Sequence, residues 1–255
     1  MTDARARKTV VMIPTYNEAE NIADLVRALR ALEVPGGLDV LVADDDSPDG
    51  TWRIVEDLAR ADKRVHLLRR LKRRGRGAGG IDGFKAALAL GADVVVEMDG
   101  DFSHQPQHIP ALLEALDVYD LVLGSRFVKG GRDADRALHR RVITFFVRRF
   151  VRRRFKIPVR DVSSGFRVFR REVLEALDLD DLRSVGPSVV LETLYKAHLL
   201  GFRIGEVPIV FVDRTRGETK LDGLTLLETL VMALKFTRLY RPLEIPAPGS
   251  APRRG

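Results

Sequence analysis

ADVVVEMDGDFSH, residues 92–104, is the stretch on which the fold turns. Val94, Val95 and Val96 make an apolar run that leads to Met98 and then to two carboxylates, Asp99 and Asp101, on either side of Gly100. Gly91 precedes the run and Pro106 follows it, so residues 93–98 are too few for a helix. They read as a buried strand of a mostly parallel sheet. The aspartates therefore sit just past a strand's carboxyl end, where open α/β sheets hold their ligands. Carboxylates this close repel unless a cation joins them, and hard divalent ions take such oxygens. An Asp-Gly turn explains the same letters, and the spacing alone does not choose.

Outward from that strand, the first half of the chain alternates strand and helix. Strands are expected over 9–13, 38–42 and 65–68, and helices over 20–32, 51–61 and 83–90. Past the central strand come a helix over 107–116, opened by Pro106, and a strand over 121–123. Repeated βα units joined by short turns mean a parallel, doubly wound sheet.

After Gly124 the pattern changes. Residues 136–155 are strongly basic, and Val142, Ile143, Phe146, Val147 and Phe150 share one helical face, with Arg141, Arg148 and Arg152 opposite. Such a helix suits an anionic membrane surface; a helix packed on the domain with one solvated face fits equally. A strand over 166–169, a helix over 189–200 and a strand over 202–212, broken at Pro208, come next. A second amphipathic helix over 224–239 gathers Leu224, Leu227, Leu230, Val231 and Leu234. The tail from Pro242, rich in Pro, Gly and Arg, is expected to be disordered.

Composition narrows the classes. The 255 residues are 45% apolar and 31% charged, as in a soluble globular protein. The absence of cysteine excludes disulfides and thiolate metal sites, and fits a reducing cytoplasm. The first residues carry only a short apolar run, so no signal peptide is expected, and no stretch nears the roughly 20 apolar residues of a membrane span. A net charge of +7 points to an anionic partner.

Gly75-Arg76-Gly77-Ala78-Gly79-Gly80 matches G-x-G-x-x-G, the fingerprint of dinucleotide binding. Residues 69–74 part it from the preceding strand, however, and remove the tight turn the fingerprint needs. We read it as a flexible basic loop. No phosphate loop or nucleophile elbow is present. His104 and His108 are four apart, but Pro106 interrupts the face a zinc pair would share. Without interleaved aromatics or a DNA-reading helix, no nucleic-acid partner is expected.

Several stretches fall in a telling order: IPTYNE at 13–18, VADDDSPDGT at 42–51, DGDFSHQP at 99–106, GSRFVKGG at 124–131 and VRDVSSGFR at 159–167. GEVP at 205–208 then runs into FVDRTRGETK at 211–220. From about residue 9 to 221 the chain resembles a family 2 glycosyltransferase of the GT-A fold. Within that family it resembles the dolichyl- or polyprenyl-phosphate mannose synthases. The resemblance implies a Rossmann-like, mostly parallel sheet flanked by helices, with C-terminal amphipathic helices. It implies one domain over 1–240, its nucleotide-sugar half at about 9–125 and its acceptor- and membrane-facing half at about 126–240, then a tail over 241–255.

The resemblance also assigns tasks. Pro14, Tyr16 and Glu18 would line the base and ribose, and Val42 and Asp44 the base edge. Asp99, Gly100, Asp101 and Ser103 would form the diphosphate end, with Asp99, Asp101 and Ser103 on Mg²⁺ or Mn²⁺. Arg126, Arg140 and Arg214 would surround the phosphates with guanidinium forks; with Asp101 they are the candidates closest to the chemistry. The implied reaction is metal-dependent and inverting. It moves a sugar, mannose from GDP-mannose first, onto a dolichyl or polyprenyl monophosphate. The protein would act as a peripheral one at the cytoplasmic membrane face, with a separate anchoring protein left open. A transferase using a UDP-sugar, a nicotinamide-dependent oxidoreductase resting on residues 75–80, and a non-catalytic membrane-binding module remain alternatives. The chain departs from the family at 75–80, where G-L-G-x-A-Y is usual and loss of the aromatic predicts a more mobile loop. It departs also at Asp46, Gly100 and Glu218, without removing a metal carboxylate.

Overall fold

The structure, a computed structural model, describes residues 7–72, 74–133, 138–212 and 223–240. In chain order the first half runs β1 (Thr9–Thr15), α1 (Ile22–Arg30), β2 (Leu38–Asp44), α2 (Thr51–Ala61), β3 (Val65–Arg69), α3 (Arg76–Ala89), β4 (Val94–Glu97), α4 (Ile109–Glu114) and β5 (Leu121–Ser125). The second half adds β6 (Arg132–Asp133), α5 (Leu138–Phe155), β7 (Arg167–Arg170), α6 (Arg171–Ala176), α7 (Val189–Leu199), β8 (Ile204–Pro208), β9 (Val210–Phe211) and α8 (Gly223–Leu239).

Seven strands form one sheet in the order β3-β2-β1-β4-β7-β5-β8, and β6 pairs with β9. All neighbours in the large sheet are parallel except β7, which runs antiparallel to both β4 and β5. Val94, Val95 and Val96 are buried, and their side chains alternate between two apolar clusters, Val95 with Phe84 and Phe169, Val94 and Val96 with Ile13 and Val42. Burial on both faces is why this strand reads as an unbroken apolar run. Each such side chain contributes roughly 1.5–3 kcal/mol. The register fixes the site: Thr15 pairs with Asp44, and Met12 with Glu97, so β1, β2 and β4 end along one edge of the sheet.

Two expectations need correction. The helix expected from residue 83 starts at Arg76, and Gly77, Ala78, Gly79 and Gly80 are buried within it rather than forming a mobile loop. The Val185 carbonyl accepts the Gly77 and Ala78 N–H groups at 2.7 and 3.2 Å, supplying partners that a helix's first turn lacks. The helix expected over 107–116 is a short α4 between two 3₁₀ turns, Pro106–His108 and Ala115–Asp117. Pro110 has no N–H to donate and breaks the hydrogen-bond ladder there.

Helix α5 packs through Val151 and Phe155, the latter edge-on to Tyr195 at 4.5 Å, while Phe146 and Phe150 stay exposed. Arg154 Nη2 donates to Thr237 Oγ1 at 2.8 Å and ties α5 to α8. The reading of a helix packed on the domain with one solvated face therefore holds for Val151 and Phe155, and Phe146 and Phe150 lie on the solvated side. The tail 241–255 lies outside the described residues.

Candidate active site

The three strand ends are each followed by a residue in the left-handed region: Asn17 (φ 55°), Asp46 (φ 54°) and Phe102 (φ 61°). Asn and Asp tolerate that conformation, whereas for Phe102 it costs about 1–2 kcal/mol. Phe102 makes the turn between Asp101 and Ser103, and Ser103 N donates to Asp101 Oδ1 at 3.0 Å.

The loop after β1 is laced to the loop after β2. Asn17 N donates to Ser47 Oγ at 3.0 Å, Glu18 N to Thr51 Oγ1 at 2.9 Å and Ala19 N to Asp49 Oδ2 at 3.0 Å. Residues 47–51 thus hold Tyr16 and Glu18 at the mouth of the site. Tyr16 is exposed, Pro14 and Glu18 half-buried. Val42 and Asp44, expected at the base edge, are both wholly buried, so their side chains present no surface there. Asp44 instead accepts from Thr15 Oγ1 at 2.8 Å and from Ser47 N and Oγ at 2.8 and 2.6 Å, fastening β1 to β2. Gly100 lies against Thr15 and Glu18, since a Cβ there would stand 3.2 Å from Thr15 Cγ2 and 3.5 Å from Glu18 Cγ.

Asp99 and Asp101 follow the end of β4, both close enough to act on the His104 ring, Asp99 with its side chain 39% exposed and Asp101 buried. Beside them Ser103 is 2% exposed, and its Oγ has no hydrogen-bond partner among the described residues. A buried hydroxyl left unsatisfied costs about 1–3 kcal/mol, so the site calls for a further group. Among the described residues no set of three or more Asp, Glu, His or Cys side chains could hold a metal alone. Two carboxylates and a hydroxyl fit an ion such as Mg²⁺, which is held by one or two carboxylates and completed by water and substrate phosphates. His104 is not part of that set. Its Nδ1 accepts from Asp99 N at 3.1 Å, which leaves the proton on Nε2, and burial holds its pKa below the usual histidine range. It stacks on Phe166 at 5.0 Å and backs the Asp99 turn as a neutral ring.

Arg126, at the end of β5, faces this cluster over the rings of Phe127 and Phe211, each 5.1 Å away. Its Nε and Nη2 donate to the two oxygens of Asp161 at 2.8 Å, and Nη2 also to Ser163 Oγ at 2.9 Å. Burial works against the Arg126 charge, but Asp161 outweighs it and raises the pKa. The Arg140 side chain and the whole of Arg214 lie outside the described residues.

Four further residues shape the site without having been singled out from the sequence. Asp161 orients Arg126. Glu97 and Arg167, both wholly buried, form an ion pair under the Asp99 turn, and Arg76 bridges Glu97 and Asp99. Glu97 left a signal, an acid inside an apolar strand; Asp161 left one too, a carboxylate within VRDVSSGFR. Arg76 was hidden by the glycines around it. The start of α3, where a dinucleotide's phosphates would bind, is filled by the Val185 carbonyl.

A mostly parallel sheet with a carboxylate pair just past the end of its central strand is the architecture that the resemblance to GT-A glycosyltransferases implies. The model of glycosyl transferase family 2 matches residues 10–178, and the chain belongs to that family. The undecaprenyl-phosphate mannosyltransferase of Micrococcus luteus is 41% identical over 229 residues, which cover 90% of this chain and 93% of that one. The polyprenol monophosphomannose synthase of Mycolicibacterium smegmatis is 38% identical over 226 residues, 88% of this chain and 84% of that one. A mannosyltransferase from Pyrobaculum calidifontis, solved with GDP-Man and Mn²⁺, shares the fold at a TM-score of 0.64 and 20% identity, over 96% of this chain and 67% of that one.

Proposed function

We propose that this glycosyltransferase moves mannose from GDP-mannose to a polyprenyl or dolichyl monophosphate, using Mg²⁺ or Mn²⁺. The observation that carries the reading is the placement of Asp99, Asp101 and Ser103 just past the end of β4, with the buried Ser103 hydroxyl lacking a hydrogen-bond partner among the described residues. The two relatives, both named for mannose and a polyprenyl phosphate, supply the sugar and the acceptor.

Asp99, Asp101 and Ser103 would hold the divalent ion, which would supply Lewis-acid neutralisation of the leaving diphosphate. The remaining work falls to the chain. Tyr16, Glu18 and Pro14 bound the nucleoside end of the cleft. Arg126, fixed by Asp161, presents a preoriented positive charge to the phosphates at no cost in reorganisation. The acceptor monophosphate is already a nucleophilic anion near neutral pH, so no strong general base is needed. Its oxygen forms a bond to the anomeric carbon as the bond to GDP's terminal phosphate breaks, GDP keeping the electron pair and the configuration inverting from α to β. Arg140 and Arg214 complete the phosphate cage in this reading.

Docking at the lipid surface falls to α5 and α8. Phe146 is 63% exposed, and Phe150, Val231, Leu234 and Leu239 are exposed beside it in kind. Arg148, Arg149, Arg152, Arg153 and Lys156 line a groove of about 340 Å³. Among the described residues no helix is long and apolar enough to cross a membrane. In this reading the protein works peripherally, on the cytoplasmic face where donor and lipid phosphate meet.

Calorimetry tests the donor. With Mn²⁺ present, GDP-mannose should bind at least about tenfold tighter than UDP-glucose, or roughly 1.4 kcal/mol. Asp99→Ala and Asp101→Ala should each lose the metal-dependent part of that binding while keeping their circular dichroism. Tighter binding of UDP-glucose would reassign the donor, and unaltered metal dependence in both variants would remove the site.

A further inference from the structure

Arg76 enters the site from the first turn of α3. Its Nη2 lies 2.9 Å from Glu97 Oε1 and 3.3 Å from Asp99 Oδ1. On the far side of Glu97, Arg167 Nε donates to Oε2 at 2.9 Å and Arg167 Nη2 to the same oxygen. Arg167, Glu97, Arg76 and Asp99 therefore form a line of alternating charge running from the core to the metal carboxylates. Glu97 already has a buried partner in Arg167 on its other oxygen, so Arg76, at 2.9 Å from Glu97 and 3.3 Å from Asp99, is the cation the chain places against Asp99. Its other nitrogen, Nη1, is buried with no hydrogen-bond partner among the described residues. The guanidinium is thus incompletely satisfied where it stands, and leaving Asp99 would break one long hydrogen bond.

A divalent ion approaching Asp99 and Asp101 meets this fixed positive charge. Like charges at such range in a partly buried site repel appreciably, and Arg76 already occupies the Oδ1 oxygen. We propose that Arg76 is the built-in counter-ion of Asp99 and a positioning residue that sets metal affinity. Before the ion arrives it holds the Asp99 carboxylate in place. It competes with the ion for Asp99, and it makes tight ion binding depend on the diphosphate, whose negative charge offsets both cations. This inference rests on the metal reading given above.

Mn²⁺ binding without nucleotide, read from the electron paramagnetic resonance of the free ion, tests it directly. Arg76→Met and Arg76→Gln should each bind Mn²⁺ at least about tenfold tighter than the parent, and Arg76→Lys should stay within about threefold of it. Adding GDP should tighten Mn²⁺ binding far more in the parent than in the two uncharged variants. Arg76→Gln keeps an amide donor for Glu97 and carries the comparison if Arg76→Met fails to fold. Equal or weaker Mn²⁺ binding by a natively folded uncharged variant overturns the proposal. An Asp101→Ala control that binds Mn²⁺ like the parent would instead overturn the metal site, and the counter-ion role with it.

Discussion

Asp161→Ala removes the partner that fixes Arg126. The Asp161 side chain is wholly buried and that of Arg126 is 9% exposed. The carboxylate accepts from Arg126 N, Nε and Nη2 at 3.1, 2.8 and 2.8 Å and from Ser163 Oγ at 3.1 Å. Stranding one member of a buried pair costs about 3–5 kcal/mol. At about 2–4 °C per kcal/mol for a chain of this size, the melting temperature should fall by roughly 10 °C. Adding Arg126→Met removes the stranded charge, so the double variant should regain at least about 1 kcal/mol over additivity. Thermal unfolding of the ligand-free proteins by circular dichroism gives all four corners of the cycle. The pair also leaves a mark in pH. Burial alone would raise the Asp161 pKa, but the hydrogen bonds and charge of Arg126 win and hold it below the usual carboxylate range. A depressed folded pKa gives stability that is present above the unfolded value and lost as pH falls through the folded one. The acid limb of the stability profile should therefore flatten in Asp161→Asn. A loss below about 1 kcal/mol in Asp161→Ala, with strict additivity in the double variant, would refute the reasoning.

Other substitutions probe the rest of the account. A Cβ on Gly77 would stand 2.7 Å from the carbonyl oxygens of Ser184 and Gly186, so Gly77→Ala should cost about 1–3 kcal/mol in urea unfolding as α3 is pushed off that segment. Arg149 and Arg153 are exposed on α5. Each contributes on the order of 1 kcal/mol at an anionic surface, so changing both to Gln should weaken flotation with anionic vesicles and its salt sensitivity. Transfer to a short soluble prenyl phosphate should persist, and normal flotation would move docking to another element. Arg148 differs, because its guanidinium covers the Phe127 ring at 3.4 Å and its Nε donates to Arg160 O at 2.8 Å. Arg148→Gln should slow transfer to soluble and vesicle-bound acceptors alike.

The sheet was legible where burial on both faces leaves unbroken apolar runs, as in Val94, Val95 and Val96. The antiparallel β7 was not, because a short run such as Phe166–Phe169 carries no sign of direction or partner, and its neighbours lie far away in sequence. The early start of α3 ran against propensity: glycine is the poorest ordinary helix former, and the turn exists because the Val185 carbonyl caps it from another part of the chain. Within the site, the strand placed Asp99 and Asp101 past its carboxyl end, but the spacing alone could not tell a metal pair from an Asp-Gly turn. The letters of Asp44 could not say that its oxygens are spent on Thr15 and Ser47, nor those of Asp161 that it faces Arg126. Partners of charged side chains are set by tertiary packing, and one sequence does not display them.

The central claim is that Asp99 and Asp101 serve mannosyl transfer from GDP-mannose to a lipid monophosphate. Purified protein, GDP-mannose labelled in the sugar, polyprenyl phosphate and Mn²⁺ are combined, and label entering the organic phase is followed with time. The account predicts an acid-labile β-mannosyl phosphate lipid formed with release of GDP, abolished by a chelator and by Asp101→Ala, with UDP-glucose a poor donor. Equal transfer by Asp101→Ala, or preferential transfer from UDP-glucose, would contradict it.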